Sequence, residues 1–440
     1  MSNNQQPYQP FLQKLGIESL NAMQEAAYDT IIDNDEVILL SPTGTGKTLA
    51  FLLPLLTTLD VTVNEVQLLI LVPSRELAIQ IEQVIRELGS GFKTNALYGG
   101  RARNKDKSDI KQPPAILIGT PGRIADHFDR KTFSTKYVQN LVLDEFDKSL
   151  EVGFETEMKA IVSALPTLKK KVLTSATQKV EIPFFLGLIE PAELDFLDDN
   201  NPELTLKKVL CPTNNKLPVL VQLLRMLGNK NGIVFCNYKD TIQTVSDYLT
   251  RGEINHSCFY GGLEQQDRER ALIKFRNGTH RILIATDLAA RGIDVPEMDY
   301  IIHFEISSKE DEFTHRNGRT ARMNSEGTAY VLLSDRDRQP EFIEEIETMT
   351  LQGGSKDTDM LSTDWETLFV SGGRKDKISK GDIAGLFFRQ GGLKPNELGL
   401  IELKQDCTFV AVAKSRVKFL IKELNNSRLK NKKVRISLLA

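Results

Sequence analysis

Two stretches of this 440-residue chain combine glycine, hydroxyl, cation and carboxylate in a pattern suited to phosphate chemistry. The first is "SPTGTGKT", residues 41–48, set between an apolar run and a helix-like run. Glycines let backbone N–H groups turn inward around phosphate oxygens. In such a loop Thr43, Gly44, Thr45 and Gly46 form the cradle, Lys47 reaches the β- and γ-phosphates, and the Thr48 hydroxyl binds Mg²⁺. The helix that follows adds its positive N-terminal end. The second stretch is "LVLDEFD", 141–147, where a buried strand would deliver carboxylates to a sheet edge. Asp144 would hold Mg²⁺ through water, and Glu145 would position and polarise an attacking water. A lone Asp-Glu pair is more often a strand-end cap; with the glycine loop at 41–48, the catalytic reading takes precedence.

These residues need strands to carry them. The apolar runs "EVILLSP", "QLLILVP", "AILIGTP", "NLVLDEF" and "KKVLTSA" each end in Gly, Pro, Ser, Thr or an acid and alternate with helix-like stretches. That is the pattern of parallel βαβ units. Turn formers in "FLDDNNPELTL" (196–206) interrupt it. It resumes with "NGIVFCN", "HSCFYGG", "RILIATD", "MDYIIHFE" and "GTAYVLLS". Two consecutive α/β domains are expected, 1–206 and 207–352. Residues 353–364 lack apolar periodicity and read as a linker. A small α+β domain is expected over 365–440, with strands in "TLFVSG", "LGLIEL", "CTFVAVA" and "KVRISLL" and helices near 380–389 and 414–425.

Composition narrows the class. The chain is 40% hydrophobic and 26% charged, as in a globular protein. No uncharged apolar stretch of about 18 residues suggests a membrane span, and the polar start "MSNNQQPYQP" does not read as a signal peptide. Four scattered cysteines argue against a zinc site or disulfide framework and fit a reducing cytoplasm. The net charge of −3 hides an asymmetry: residues 371–440 hold 16 Lys+Arg against 6 Asp+Glu. A basic tail of that kind suits a polyanion.

The order of motifs resembles the DEAD-box RNA helicases over roughly residues 8–335. "SPTGTGKT" is followed by "PSRELA" (73–78), "YGG" (98–100), "TPGR" (120–123), "DEFD" (144–147) and "SAT" (175–177). Then come "IVFCN" (233–237), "QQDR" (265–268), "TDLAARGID" (286–294) and "HRNGRTAR" (315–322). The resemblance implies two tandem RecA-like domains, ATP and Mg²⁺ as cofactors, RNA as partner, and RNA-stimulated ATP hydrolysis with local separation of short duplexes. It implies that Gln24 reads adenine, with Tyr8 or Phe11 stacking on it, and that Asp294 contacts the ribose. Arg319 and Arg322 match the arginine fingers, whose planar permanent charge suits a developing phosphoryl charge. Asp147 would bond Ser175 and Thr177, and His315 would link the nucleotide and RNA faces. Arg75, Gly100, Thr120, Arg123, Arg268 and Thr286 occupy RNA-facing positions, chiefly toward the sugar–phosphate backbone. Closure of the two domains on ATP and RNA would couple the ligands.

Departures from the family pattern are Leu20-Asn21 for Pro-Thr, Asn317 for an apolar residue, Ala321 for Gly, and Phe146 for Ala. Asn21 can still cap a helix. Phe146 asks only for room, so small or flexible neighbours are expected around Ala176 or 161–173.

The segment "GRKDKISKGDIAG" (373–385) resembles the RNA-binding tail of DbpA/YxiN-type bacterial helicases, an RRM-like fold. Phe369 and Phe409 are its only evident sheet aromatics, so electrostatic contacts from Arg374, Lys375, Lys377, Lys380 and the "KNKKVR" segment are favoured over base stacking. The resemblance implies structured large-subunit ribosomal RNA as target, ribosome assembly as setting, and a monomer. The alternative reading is an RNA clamp with little or no hydrolysis.

Overall fold

In the computed structural model the described residues are 6–100, 103–177, 181–197, 204–212, 215–287, 298–321, 327–343, 346–351 and 363–439. They belong to two units, the second holding both an α/β domain and the basic tail. In the first unit the strands are β1 (Glu36–Leu40), β2 (Leu68–Leu71), β3 (Thr94–Leu97), β4 (Ile116–Gly119), β5 (Asn140–Leu143), β6 (Lys170–Ser175) and β7 (Ala192–Asp195). They pair in the order β3-β4-β2-β5-β6-β1-β7, and every pairing is parallel. In the second unit they are β8 (Leu204–Cys211), β9 (Gly232–Phe235), β10 (Ser257–Phe259), β11 (Ile282–Ala285), β12 (Tyr300–His303), β13 (Gly327–Ser334) and β14 (Glu347–Met349). Their order, β10-β11-β9-β12-β13-β8-β14, is the same permutation. Parallel strands need crossover helices, which cover both sheet faces. Hence β2, β4, β9 and β11 are buried at every residue.

The apolar-run criterion passes over β3, β7, β8 and β14. β3, β7 and β14 are edge strands, and the residues of β7 alternate between half-buried and exposed; β8 lies inside its sheet, but only Val209 and Cys211 of it are buried. The second domain also opens earlier than residue 207. Leu204, Thr205 and Leu206 are already in ladder with Gly327, Thr328 and Ala329.

The tail forms an antiparallel sheet from β15 (Trp365–Val370), β16 (Leu398–Leu403), β17 (Thr408–Ala413) and β20 (Ile436–Leu438), in the order β16-β17-β15-β20. A small hairpin, β18 (Arg428–Leu429) and β19 (Lys432–Lys433), precedes β20. Strand residues alternate faces. Leu368, Val370, Val410, Val412 and Ile436 share a core with Leu386, Phe387, Leu420 and Leu424 of the Lys380–Arg389 and Val417–Leu424 helices.

The other sheet face meets the Gln265–Arg276 helix of the preceding domain. Phe369 and Phe409 sit opposite each other in register, with ring centroids 5.9 Å apart. They cluster with Ile273 and Leu439. Arg276 donates Nε and Nη2 to the two carboxylate oxygens of Glu402, each at 2.8 Å. Asn277 Nδ2 donates to the Thr367 hydroxyl at 3.1 Å, and the Thr279 and Thr367 hydroxyls lie 2.7 Å apart. Of the expected linker, residues 353–362 fall outside the described residues. Thr363 is buried, and its hydroxyl donates to the Gly278 carbonyl. The sheet face that an RRM-like fold ordinarily offers to bases is therefore occupied by the chain itself.

Burial raises the Glu402 pKa, but Arg276 and Lys404 outweigh burial and hold it below the usual carboxylate range. Trp365, the chain's single tryptophan, lies against Gly278 in this interface. Glu402→Ala should leave Arg276 desolvated and uncompensated, weakening docking by about 2 kcal/mol. The Trp365 emission should then shift red at lower urea than in the wild type. The swap Arg276→Glu with Glu402→Arg should recover part of the loss.

Candidate functional site

Three adjacent strands of the first unit, β5, β6 and β1, end side by side. Ser41, just past β1, donates its N–H to the Ser175 carbonyl at 3.0 Å. Asp144, just past β5, donates its N–H to the Leu71 carbonyl at 3.0 Å. The glycine loop follows β1 and feeds the Lys47–Thr58 helix, capped by Gly46 at φ 90°. Gly44 has φ 88°. These left-handed values favour glycine. Lys47 is buried, and its ammonium donates to the carbonyls of Ser41 and, at 2.7 Å, of Pro42. The Ser41 and Thr45 hydroxyls are 2.7 Å apart.

Asn21 and Gln24 form a capping box at the start of the Ala22–Asp33 helix, as the Asn21 substitution requires. The same two residues grip the loop. Asn21 Nδ2 donates to the Thr45 carbonyl at 3.0 Å, and Gln24 Nε2 to the Gly46 carbonyl at 3.3 Å. A Cβ at Gly46 would lie 2.4 Å from Gln24 Nε2, so alanine there would displace it. Tyr8 packs edge-on against Tyr28 with centroids 4.6 Å apart.

Asp144 is 3% exposed. Its carboxyl is raised above the usual range, chiefly by burial, against the opposing pull of the Thr174 hydroxyl and the Lys47 charge. Thr174, at 0% exposure, holds both acids. Its hydroxyl donates to Asp144 Oδ1 at 2.5 Å and accepts the Glu145 N–H at 3.2 Å. Glu145 stands at φ 49°, in the left-handed region, as the cap of the Phe146–Glu151 helix. That turn separates it from the direction of the strand. Sequence reasoning missed Thr174.

Asp147 is buried and accepts from the Thr177 hydroxyl at 3.4 Å. Ser175 bonds Thr177 instead, donating to its carbonyl at 2.9 Å and accepting its N–H at 3.0 Å. The "SAT" segment is thus an ST-turn that aims one hydroxyl at Asp147.

Phe146 is 3% exposed and belongs to an apolar cluster with Met158, Ile161, Leu165 and Leu173. Its ring sits in the core. Its cluster partners include the expected 161–173 stretch, but they are full-sized residues, and Ala176 is not among them.

Among the positions expected to face RNA, the Arg75 guanidinium lies over Gly100, where an added Cβ would approach Nη1 to 2.8 Å. Thr120 caps the Pro121–Asp129 helix. Arg123 is held by Asp106 through Nε at 2.8 Å and Nη2 at 2.5 Å. Asp106, 0% exposed, was not anticipated.

In the second unit, Arg268 lies in the first turn of the Gln265–Arg276 helix and is buried. Thr286, just past β11, donates its N–H to the Phe259 carbonyl at 3.3 Å. His315 and Arg319 are buried in and just after the Glu310–Asn317 helix. Asp294 and Arg322 lie outside the described residues. Arg316, a further unanticipated residue, is fully buried. It donates to both oxygens of Asp287, at 2.6 and 2.9 Å, to the Glu305 carbonyl and to Asn237 Oδ1, each at 2.8 Å. Asn317 accepts from His303 Nε2 at 2.9 Å. Burial, then the Arg316 charge, push the His303 pKa down to about 3, so it is neutral.

In the tail, Arg374 and Lys375 lie on a 3₁₀ turn that ends at Lys377, φ 58°. Lys375 pairs with Asp406 at 2.7 Å, Lys430 with Asp382 at 2.8 Å and Lys432 with Asp376 at 2.6 Å.

Residues 21–183 match the DEAD/DEAH box helicase family, 215–324 the helicase conserved C-terminal domain, and 367–438 the DbpA RNA binding domain. The chain is 30% identical over 439 residues to the ATP-dependent RNA helicase DbpA of Escherichia coli, covering 97% of this chain and 96% of that one. It is 27% identical to DbpA of Bacillus subtilis, over 97% and 96%. Among solved structures it resembles S. cerevisiae Dbp5 bound to RNA and ADP BeF3 (TM-score 0.67, 25% identity, 76% of this chain and 88% of that one). It also resembles Mss116p bound to ssRNA and AMP-PNP (TM-score 0.68, 25% identity, 75% and 73%).

Two substitutions separate chemistry from packing. Thr174→Val should reduce ATP turnover at least tenfold while leaving the melting temperature within a few degrees, and Thr174→Ser should retain most turnover. Phe146→Ala, which restores the family letter, should destabilise the first unit by about 3 kcal/mol through its cavity. Turnover per folded molecule should stay near that of the wild type.

Proposed function

The chain belongs to the DEAD-box ATP-dependent RNA helicases of the DbpA type, and from that premise we propose how its residues divide the work. One observation carries the proposal: the loop with Lys47 follows β1, and Asp144 and Glu145 follow β5, on either side of β6, whose Thr174 fixes both acids. Phosphoryl transfer asks for positioning and charge stabilisation rather than covalent catalysis. The loop Thr43–Thr48 would cradle the phosphates, and Lys47 would exchange its bonds to the Ser41 and Pro42 carbonyls for the β- and γ-phosphates. Gln24, already on the loop through Gly46, would link adenine to loop conformation, and Asp294 would contact the ribose.

The donor set at the cation position is a hydroxyl, Thr48, and a buried carboxylate, Asp144. Hard oxygen donors in so small a number suit Mg²⁺, which keeps most of its waters. When bound it neutralises charge on the phosphate oxygens. Glu145 would orient the water that attacks the γ-phosphorus and take its proton, while ADP leaves. Arg319 and Arg322 would meet the charge on the transferred group. Asp147, tied to Thr177, and His315 would couple the site to RNA.

The core positions Arg75, Gly100, Thr120, Arg123, Arg268 and Thr286 would hold the sugar–phosphate backbone and carry no base information. The tail would supply target choice through Arg374, Lys375, Lys377 and Lys380. The exposed pairs such as Lys375–Asp406 cost little to break, since solvent-screened surface ion pairs add little to stability. The reading extends to structured large-subunit ribosomal RNA as target, ribosome assembly in the cytoplasm, and action as a monomer. No helix among the described residues is long and apolar enough to cross a membrane.

ATP hydrolysis measured with and without RNA tests the core claim. RNA should raise turnover, and Glu145→Gln should lower it by about 10²-fold or more while RNA binding with ATP persists. Turnover that ignores RNA, or a Glu145→Gln variant as active as the wild type, would favour a clamp over a helicase.

A further inference from the structure

The tail's outer sheet face is covered by the Gln265–Arg276 helix, so its aromatics Phe369 and Phe409 are not available to bases. Its helical side is the opposite side of the same sheet, and it carries a different set of side chains. Phe419, on the Val417–Leu424 helix, is 47% exposed. The Arg416 guanidinium carbon lies 5.0 Å from its ring centroid. That guanidinium is itself anchored, with Nη2 donating to the Gly391 carbonyl at 3.1 Å and the Gly392 carbonyl at 3.3 Å. Phe388, on the adjoining Lys380–Arg389 helix, is 38% exposed.

Lys414, Lys418 and Lys422 follow at four-residue spacing through the 3₁₀ turn and the helix, and all three are exposed. On the α-helix Lys418 and Lys422, four apart, are neighbours on one face, and Lys414 precedes them on the 3₁₀ turn. Among the described residues none of these lysines has a carboxylate partner, whereas Lys375, Lys430 and Lys432 each do. Glu423 is the one acid on the helix itself. An exposed ring capped by a fixed guanidinium, beside uncompensated ammonium groups, has the parts of a single-strand site. The ring stacks a base of any identity, and the cations track the backbone.

We propose that Phe419 and Arg416, with Lys414, Lys418 and Lys422, form a binding site for unpaired RNA nucleotides on the helical side of the tail. One base stacks on Phe419, and the flanking phosphates lie along the lysines. The site adds to the contacts assigned to Arg374, Lys375 and Lys377, and it rests on the reading that the tail binds RNA. It would let the tail hold a single-stranded segment beside a folded RNA element without using its sheet.

The test uses the full chain and two fluorescent RNAs, a hairpin with a short single-stranded extension and the same hairpin blunt-ended, followed by anisotropy across a salt series. Phe419→Ala should weaken binding of the extended hairpin by about 5- to 160-fold, the range of one stacked base. Binding of the blunt hairpin and RNA-free ATP turnover should be unchanged. Phe419→Trp should keep wild-type affinity, and Phe419→Leu, which fills the same space without a π-face, should behave like alanine. Lys418→Gln with Lys422→Gln should reduce the salt slope for the extended RNA by about 1.4, at about 0.7 per phosphate contact. Three results would overturn the site: Phe419→Ala binding both RNAs like wild type, equal weakening on both, or a tryptophan variant as weak as alanine. Wild-type protein that bound neither RNA would overturn the helicase reading itself, a different outcome from an indifferent Phe419.

Discussion

An all-parallel sheet delivers the C-terminal end of every strand to one edge, and the chemistry of this chain depends on that constraint. In the first unit it sets the glycine loop after β1, the Thr174–Ser175 hydroxyls at the end of β6 and the acids after β5 in a row. The row is local in space yet drawn from residues 41–48, 144–147 and 174–177. Nothing but the sheet brings them together. The Thr174 hydroxyl then converts adjacency into geometry, because it donates to one acid and accepts the main chain of the next. A buried carboxylate is costly unless hydrogen-bonded, so the same contact that aims Asp144 also makes its burial tolerable.

The tail follows a different constraint. An antiparallel sheet can leave one face to solvent, and this one instead spends that face on the neighbouring domain. Phe369, Phe409, Ile273 and Leu439 form the apolar part, and the Arg276–Glu402 pair fixes its orientation. A bidentate guanidinium–carboxylate fork specifies direction as well as contact. The Gln265–Arg276 helix carries Arg268 in its first turn and ends with Arg276, so one rigid rod spans a position proposed to face RNA and the tail's anchor. Basic residues on the tail are thereby held at a set place relative to that helix rather than trailing on a tether.

Much of this was legible in the sequence, for identifiable reasons. Buried parallel strands are continuous apolar runs, so β1, β2, β4, β5, β6, β9, β11, β12 and β13 announced themselves, and the loop at 41–48 followed the first of them; β8, mostly half-buried or exposed, did not. Edge strands such as β7 bury little and left no such trace. Thr174 and Asp106 were illegible because their roles exist only across strands and helices distant in sequence. Phe369 and Phe409 could not be divided between core and base-stacking roles from spacing alone, since both uses want an aromatic at the same alternating position. The covering helix decides it.

The departures from the family pattern are best understood in pairs. Asn317 places an amide where an apolar residue is usual, and His303 answers it from β12 with a hydrogen bond inside the protein. Each alone would leave a further buried polar atom unsatisfied, at about 1–3 kcal/mol; together His303 Nε2 and Asn317 Oδ1 satisfy one another. The His303 ring also stacks on Phe313 at 4.4 Å. It stays uncharged beside the buried Arg316, whose own charge is absorbed by Asp287. Ala321 stands at φ 50°, where a side chain costs about 1–2 kcal/mol over glycine. Gly327 makes that turn possible, since a Cβ there would come within 2.4 Å of the Ala321 nitrogen. Phe146 has Met158, Ile161, Leu165 and Leu173 around it in the core. In each case the altered residue and its compensator lie in different elements. A motif scanned letter by letter therefore registers a loss, whereas the folded chain has moved the same physical requirement to another address.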